Sequence, residues 1–266
     1  MTLYRVHSLD VFLIAQYSQN DNDMANRLIF LQSVMTMALI VNFSVHASSA
    51  PLIAIDVGHS LQSSGATSAR GKAEFEFNRE LALVVWQAIA SNGGQAFEIG
   101  ADGKSVDPET RPMEASARNA KFFLSIHHDS VQQQYLEEWN WQGGVQQHAD
   151  QFSGFSLFVS RKNKQLAASL RCASAIGAAL KSAGFSPSKH HAENIEGENR
   201  QWADQTNGVY YYDNLIVLKN TKIPAVLLEA GVIVNQHEEK QLLEPTVRKA
   251  IGNAIASGLG SCGMMK

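Results

Sequence analysis

The stretch Leu52–Ser60, LIAIDVGHS, decides the fold. Five of its first six residues are apolar, and the run ends at Gly58-His59. Such a run is typical of a strand buried on both faces of a parallel or mixed sheet. Glycine allows the chain to turn sharply, which leaves His59 at the carboxyl end of the strand, where open α/β sheets bind ligands. Taken alone, this histidine is more typical of a loop residue without function.

The composition excludes several classes of protein. Of the 266 residues, 45% are hydrophobic and 18% are charged, which is enough for a sizeable core. The formal net charge is −3 and there is no basic block, so we expect no nucleic-acid partner. Cys172 and Cys262 lack the spacing of a metal site and are too few for a disulfide scaffold. They pair if the compartment is oxidising, and two free thiols fit the sequence equally well.

The start of the chain has the layout of a targeting segment. A short positive segment beginning at Met24, the expected start of translation, precedes the mostly apolar run 28–45, and Ala47 completes a small-x-small cleavage pattern. We interpret residues 1–47 as an N-terminal extension with a secretory signal peptide and residues 48–266 as one mature domain. The mature protein is then exported to the periplasm or cell envelope and is not held in the membrane. An uncleaved anchor is the alternative, which the polar residues within the run disfavour.

The mature chain alternates predicted strands and helices, as in α/β proteins. Apolar runs predict further strands at 95–99, 122–126, 155–159 and 225–228. Helical spacing predicts helices over 77–92, 113–121 and 166–183, and Asn235 with Glu238 predicts the start of the last helix.

Two polar segments interrupt this pattern. Residues 131–152 are rich in glutamine and contain two tryptophans, and they are predicted to be a partly helical insertion. This insertion is either a lid or partner-gated blocker, or a plain surface loop. Residues 186–213 are predicted to be one long polar loop, and a loop of that length is usually functional or disordered.

Three strand ends carry side chains that bind metals. His59, His127 and Glu229 each follow or end an apolar run, and Glu74 opens a helix. Two imidazoles and a carboxylate form a ligand set of catalytic zinc that leaves one position for water, and no thiolate is offered. One of Glu74 and Glu229 would bind the metal, and the other would act as the base. Charge alone does not decide which of them has which role. The alternative is that His59, His127 and Glu229 are unrelated loop residues.

Four motifs occur in order along the chain. The first is IAIDVGHS, similar to I-x-I-D-x-G-H-G, and the second is Glu74 with Asn78, similar to E-x-x-x-N. The third is FFLSIHHDS, preceded by Arg111 and similar to F-I-S-I-H-A-N, and the fourth is PAVLLEAGVIVNQHEE, similar to P-A-V-L-V-E-x-G-F-x-S-N-x-x-E. With these motifs the chain resembles the zinc-dependent N-acetylmuramoyl-L-alanine amidases with an amidase-3 catalytic domain. The resemblance runs from Ile53 to about Ile255.

The resemblance implies a fold, a reaction and a set of roles. The fold is a single α/β domain with a twisted, mostly parallel or mixed sheet flanked by helices on both faces, which agrees with the order of elements. The reaction is hydrolysis of the amide between N-acetylmuramic acid and L-alanine, with peptidoglycan as substrate and zinc as cofactor. His59, Glu74 and His127 would be the zinc ligands, and Glu229 would be the catalytic carboxylate.

Several alternatives accompany this interpretation. Glu76 competes as a metal ligand, although only Glu74 has the offset to Asn78 that the motif requires. Another exported zinc peptidase or amidohydrolase could use the same ligand set. A non-catalytic wall-binding module is disfavoured because every proposed catalytic group is present. A further expected partner is an activator protein that acts on the insertion 131–152.

Three residues depart from the family's motifs. Ser60, His128 and Asp129 stand where the family usually has glycine, alanine and asparagine, which affects the expected shape of the substrate groove. His128, together with His190 and His191, falls outside the motif pattern. We expect these three histidines to be surface or groove residues rather than metal ligands.

Overall fold

The computed structural model describes residues 50–265. The predicted signal peptide, its cleavage site at Ala47 and the proposed start at Met24 lie outside the described residues. Among residues 50–265, no helix has both the length and the hydrophobicity needed to cross a membrane.

Strands and helices alternate along most of the described chain. The strands are β1 (Leu52–Val57), β2 (Gln95–Ile99), β3 (Phe122–Asp129), β4 (Glu137–Trp141), β5 (Gly144–His148), β6 (Ser156–Val159), β7 (Trp202–Asp204), β8 (Val209–Tyr211) and β9 (Ala225–Val232). The helices are α1 (Glu74–Ser91), α2 (Thr110–Ala117), α3 (Leu166–Ser182), α4 (Ile216–Lys219), α5 (Gln236–Leu243) and α6 (Pro245–Ser261).

Seven of these strands form one mixed sheet in the order β2-β1-β3-β9-β6-β8-β7. The first four are parallel, β6 runs antiparallel to β9 and parallel to β8, and β7 is antiparallel to β8. The predicted α/β fold with a mixed sheet is therefore confirmed. Because β1, β3 and β9 are parallel neighbours, their carboxyl ends meet at one edge of the sheet.

The sheet is buried on both faces, which explains the unbroken apolar runs. Along β1, Ile53 and Ile55 pack into one hydrophobic cluster and Ala54 packs into another on the opposite face. The first cluster includes apolar side chains of α1, α3 and α6, and the second includes those of α2 and α4. Helices therefore flank both faces, as predicted.

The segment 186–213 is not one loop, as the sequence predicted, because it contains β7 and β8 at the edge of the main sheet. Both are three-residue strands, which are too short to produce a clear hydrophobic alternation. The Tyr210 side chain of β8 is fully buried and stacks on the Trp202 ring, with 3.8 Å between ring centroids.

The insertion 131–152 forms a β-hairpin rather than a partly helical segment. Strands β4 and β5 pair antiparallel, and the helical content is one 3₁₀ turn, Gln133–Tyr135. The turn residues Gln142 and Gly143 both have positive φ, as in the tight hairpin turns that match strand twist.

The predicted last helix is two helices, because Pro245 begins a new one after Leu243. Proline lacks the N–H that continues a helix but suits the first turn of the next. The Asn235 side chain accepts hydrogen bonds from the N–H groups of His237 and Glu238, so the predicted N-cap of α5 is confirmed.

A disulfide joins α3 to the end of α6. Cys172 and Cys262 are bonded across a separation of 90 residues, with 5.1 Å between their Cα atoms. The pairing that the sequence left open is therefore present. A crosslink over a long loop restricts the unfolded chain and so stabilises the folded one.

Replacing both cysteines with alanine (Cys172→Ala/Cys262→Ala) should lower the free energy of unfolding by about 2–4 kcal/mol, because the unfolded chain regains loop entropy. Urea unfolding measures this difference. Dithiothreitol should lower the stability of the wild-type protein to a similar degree and leave the variant unchanged. A variant as stable as the oxidised wild-type protein would contradict the prediction.

Candidate active site

The turn after β1 differs in detail from the sequence interpretation. The left-handed residue is His59, with φ 67°, whereas Gly58 is not in the left-handed region. Glycine is required at position 58 for space: a Cβ atom there would lie 2.3 Å from the imidazole of His127. A non-glycine residue in the left-handed region is costly and persists only where the surrounding structure enforces it.

A buried ion pair enforces this turn. The Arg111 guanidinium on α2 lies 2.6 Å from Asp56 Oδ1, and both side chains are almost fully buried. Arg111 also donates hydrogen bonds to the backbone carbonyls of Val57 and His59. Ser125 of β3 donates to the other Asp56 oxygen at 2.6 Å. The backbone before and after Gly58 is therefore fixed from α2 and β3.

The three predicted ligands converge around one carboxylate. Glu74 Oε2 lies 3.0 Å from His59 Nε2, and Glu74 Oε1 lies 3.1 Å from His127 Nδ1. One ligand atom from each residue lies within 4.8 Å of the others. Gly65 provides room on the outer side, since a Cβ atom there would lie 2.3 Å from Glu74 Oε2.

Glu74 is buried and held by several donors. The Ala66 N–H donates to Oε2 at 3.0 Å, and the Asn78 amide donates to Oε1 at 3.0 Å. Burial by itself would raise the pKa of Glu74, but the hydrogen bonds and charges of His127 and His59 outweigh it and hold the pKa well below its usual range. The carboxylate is therefore ionised and oriented, as a metal ligand must be.

Glu229 lies next to this cluster. It pairs in register with His127 on the neighbouring parallel strand. Its Oε2 atom is buried and has no hydrogen-bond partner among the described residues. Burial raises the pKa of Glu229, and the nearby charges of Asp129 and Glu74 raise it further. A buried carboxyl oxygen without a partner is costly, which suits a group that exchanges a proton with a bound molecule.

The structure thus brings all four motif residues to one edge of the sheet, and it leaves Glu76 exposed on the surface of α1. The expectation that the other histidines lie at the surface or in a groove is wrong: His128, His190 and His191 are 3%, 4% and 6% exposed. His128 Nδ1 contacts the Asn78 amide oxygen at 2.8 Å, and burial lowers the pKa of His128 to about 3. Hydropathy patterns do not reveal such paired polar side chains.

A cavity of about 420 Å³ opens beside His59 and His127. Its apolar wall includes Val106, Leu215 and Val217, and Ser60, Ser63 and Asn214 contribute polar groups. The volume lies within the range of small-molecule sites. Part of this wall comes from the chain around α4, which the motif pattern did not identify as part of the site.

The hairpin β4–β5 is attached to the loop that precedes Glu74. Trp139 Nε1 donates to the Ala69 carbonyl at 2.8 Å, and the Arg70 guanidinium lies 5.3 Å and 4.9 Å from the ring centroids of Trp139 and Trp141. Arg70 is also paired with Glu239 of α5. The hairpin does not line the cavity beside His59 and His127.

A His–Glu–His set with a buried carboxyl group beside it, at the carboxyl edge of an α/β sheet, is typical of metal-dependent hydrolases. The family model described as N-acetylmuramoyl-L-alanine amidase matches residues 53–261, and the chain belongs to this family. The protein is thus an enzyme of cell-wall amide hydrolysis. No sequence among the curated proteins matches the chain.

Solved amidase structures share the fold. The N-acetylmuramoyl-L-alanine amidase from Clostridium difficile 630 is 18% identical with a TM-score of 0.62, covering 80% of this chain and 97% of that one. The catalytic domain of CwlV from Bacillus (Paenibacillus) polymyxa var. colistinus is 24% identical with a TM-score of 0.59, covering 79% and 96%. The N-acetylmuramyl-L-alanine amidase from Mycobacterium smegmatis is 19% identical with a TM-score of 0.63, covering 80% and 97%.

Substitution of Gly58 by alanine should displace the His127 ring and reduce hydrolysis of peptidoglycan by about a hundredfold, the loss expected when a reacting group moves by about 1 Å. Release of dye from labelled peptidoglycan measures the rate. Gly260→Ala is the matched control, because nothing lies within 4 Å of a Cβ atom at that position. A folded Gly58→Ala protein with the wild-type rate would contradict the proposed packing constraint.

Proposed function

We propose that this amidase depends on zinc held by His59, Glu74 and His127, and that Glu229 is the general base of the reaction. The bond cleaved is the amide between N-acetylmuramic acid and L-alanine in peptidoglycan. The observation that carries the proposal is the buried, unpartnered Glu229 Oε2 atom beside three convergent ligand atoms. The unpaired oxygen does not benefit folding, because a buried polar atom without a partner destabilises the protein.

The donor set fits zinc. Two imidazole nitrogens and one carboxylate form a three-residue set of the kind found in catalytic zinc sites, which keep one position open. Ala66 and Asn78 orient the Glu74 carboxylate from behind, as outer-shell partners orient metal ligands. When bound, zinc would supply Lewis acidity that makes water a stronger nucleophile and polarises a carbonyl.

Glu229 would move the proton. Its carboxylate accepts the proton of the attacking water and returns it to the leaving amine, which is otherwise a poor leaving group. Burial and the neighbouring charges of Asp129 and Glu74 raise the pKa of Glu229, which is the direction that suits a carboxyl group acting as both base and acid. The adjacent cavity would bind the groups of the substrate that flank the amide bond.

We also propose that an activator protein acts on the hairpin. The CwlD amidase from Clostridioides difficile has been solved in complex with the GerS lipoprotein. It is 22% identical to this chain with a TM-score of 0.59, and the match covers 80% of this chain and 98% of that one. In our protein, Trp139 contacts the Ala69 carbonyl, and the same loop supplies the Ala66 N–H to Glu74. A partner that moved the hairpin would therefore also move this loop and change the position of the Glu74 carboxylate.

The assignment of the ligand carboxylate is tested by two glutamate variants. Glu74→Ala should lose about one equivalent of bound zinc relative to the wild-type protein, whereas Glu76→Ala should keep the wild-type content because its side chain is exposed. Zinc is measured by elemental mass spectrometry after dialysis. Loss of zinc from Glu76→Ala with retention in Glu74→Ala would reverse the assignment.

The variant Glu229→Gln distinguishes between two roles of Glu229, general base and metal ligand. The variant keeps the shape of the side chain and removes the proton acceptor, so we expect wild-type zinc content and a loss in rate of at least about a hundredfold. The rate of amide hydrolysis and the zinc content are measured on the same preparation. Near-wild-type turnover would refute the mechanism, and a loss of zinc would make Glu229 a ligand.

We further propose that residues 1–47 contain a cleaved signal peptide, so that the enzyme acts outside the cytoplasm where its substrate lies. The support is the apolar run followed by Ala47. The expected N-terminus of the mature protein is Ser48 or a residue within about three positions of it. N-terminal sequencing of protein from the cell envelope measures this directly, and a chain that keeps Met24 would indicate an anchor instead.

A further inference from the structure

A second group of potential ligands lies near the proposed active site. His190 Nε2 and His191 Nε2 lie 3.1 Å and 2.9 Å from the same oxygen, Asp129 Oδ2. One ligand atom from each residue lies within 4.8 Å of the others. Both histidines are buried, and their ring centroids are 3.9 Å apart. Two imidazoles and one carboxylate thus converge away from bulk solvent.

Each imidazole is oriented from its far side. His190 Nδ1 lies 2.7 Å from Ser188 Oγ, and His191 Nδ1 lies 2.9 Å from Glu198 Oε2. With both Nδ1 atoms engaged, both Nε2 atoms point toward Asp129. A carboxylate on the outer nitrogen, as His191 has, is a usual means by which proteins orient histidines that bind metals.

One atom of the group is left without a partner. The side chain of His190 is 2% exposed, and its Nε2 atom forms no hydrogen bond with suitable geometry within the described chain. The Nε2 atom nonetheless lies 3.1 Å from Asp129 Oδ2, so the two atoms are close without a well-aligned hydrogen bond. A cation bound by both atoms would satisfy them.

Charge also favours a cation here. Asp129 and Glu198 both contact His191, and the charge of Asp129 acts on Glu229. Two carboxylates thus lie 2.9 Å from the same imidazole ring. A metal ion held by Asp129 and the two histidines would offset their negative charge.

We propose that Asp129, His190 and His191 form a second binding site for a divalent transition-metal ion, separate from the His59–Glu74–His127 site. The donor set suits zinc and its neighbours in the first transition row. A metal there would fix the segment before β7 to the end of β3, two residues beyond His127. This site does not depend on the proposed function, since its ligands are different residues.

The test is metal stoichiometry. The full-length chain is freed of metal with a chelator, incubated with excess zinc, dialysed and analysed by elemental mass spectrometry. We expect about two equivalents in the wild-type protein and about one in His190→Ala and in His191→Ala, because removal of one of three ligands abolishes tight binding. His148→Ala is the matched control, because its histidine belongs to neither group, and it should keep about two.

The outcomes separate the two sites. His59→Ala should also bind about one equivalent of zinc. A His59→Ala protein that keeps about two equivalents would refute the first site and would not affect the second. If either ligand variant fails to fold, Ser188→Ala keeps all three ligands and should weaken zinc binding at this site by about tenfold to a hundredfold. About one equivalent in the wild-type protein, or wild-type content in His190→Ala and His191→Ala, would overturn the proposal and leave a buried ion-paired network.

Discussion

The buried ion pair between Asp56 and Arg111 is the interaction on which the site depends. Arg111 binds Asp56 and the carbonyls on both sides of Gly58, so it fixes the strand end and holds His59 in a left-handed backbone conformation. Loss of one partner from such a pair costs about 3–5 kcal/mol, because the other charge stays buried and unpaired. The position of His59 therefore depends on an ion pair between two residues that are not proposed metal ligands.

The sheet and the four proposed site residues could be predicted from the sequence for a physical reason. Strands buried on both faces give unbroken apolar runs, and the residues at their ends must meet at one edge when the strands are parallel. His59, His127 and Glu229 follow from this rule, whereas Glu74 was assigned to the site by the resemblance of its offset to Asn78 to the family motif. The observed hydrogen bond from the Asn78 amide to Glu74 explains why that offset matters.

The parts that could not be predicted depend on contacts between residues far apart in sequence. His190 and His191 appear in a polar segment, and only the fold brings them to Asp129. Strands β7 and β8 are too short for a periodic signal, and they are defined by the pairing of β8 with β6 and of β7 with β8. The disulfide is likewise a matter of tertiary proximity, since Cys172 and Cys262 are separated by 90 residues.

The most direct test of the central claim is mass analysis of the products from purified peptidoglycan, with and without a chelator. A zinc-dependent amidase should release stem peptides with a free L-alanine amino group and leave glycan in which muramic acid keeps its lactyl carboxylate. The chelator should abolish both products, and added zinc should restore them. Muramic acid that retains L-alanine, or products that form equally well in the chelator, would contradict the account.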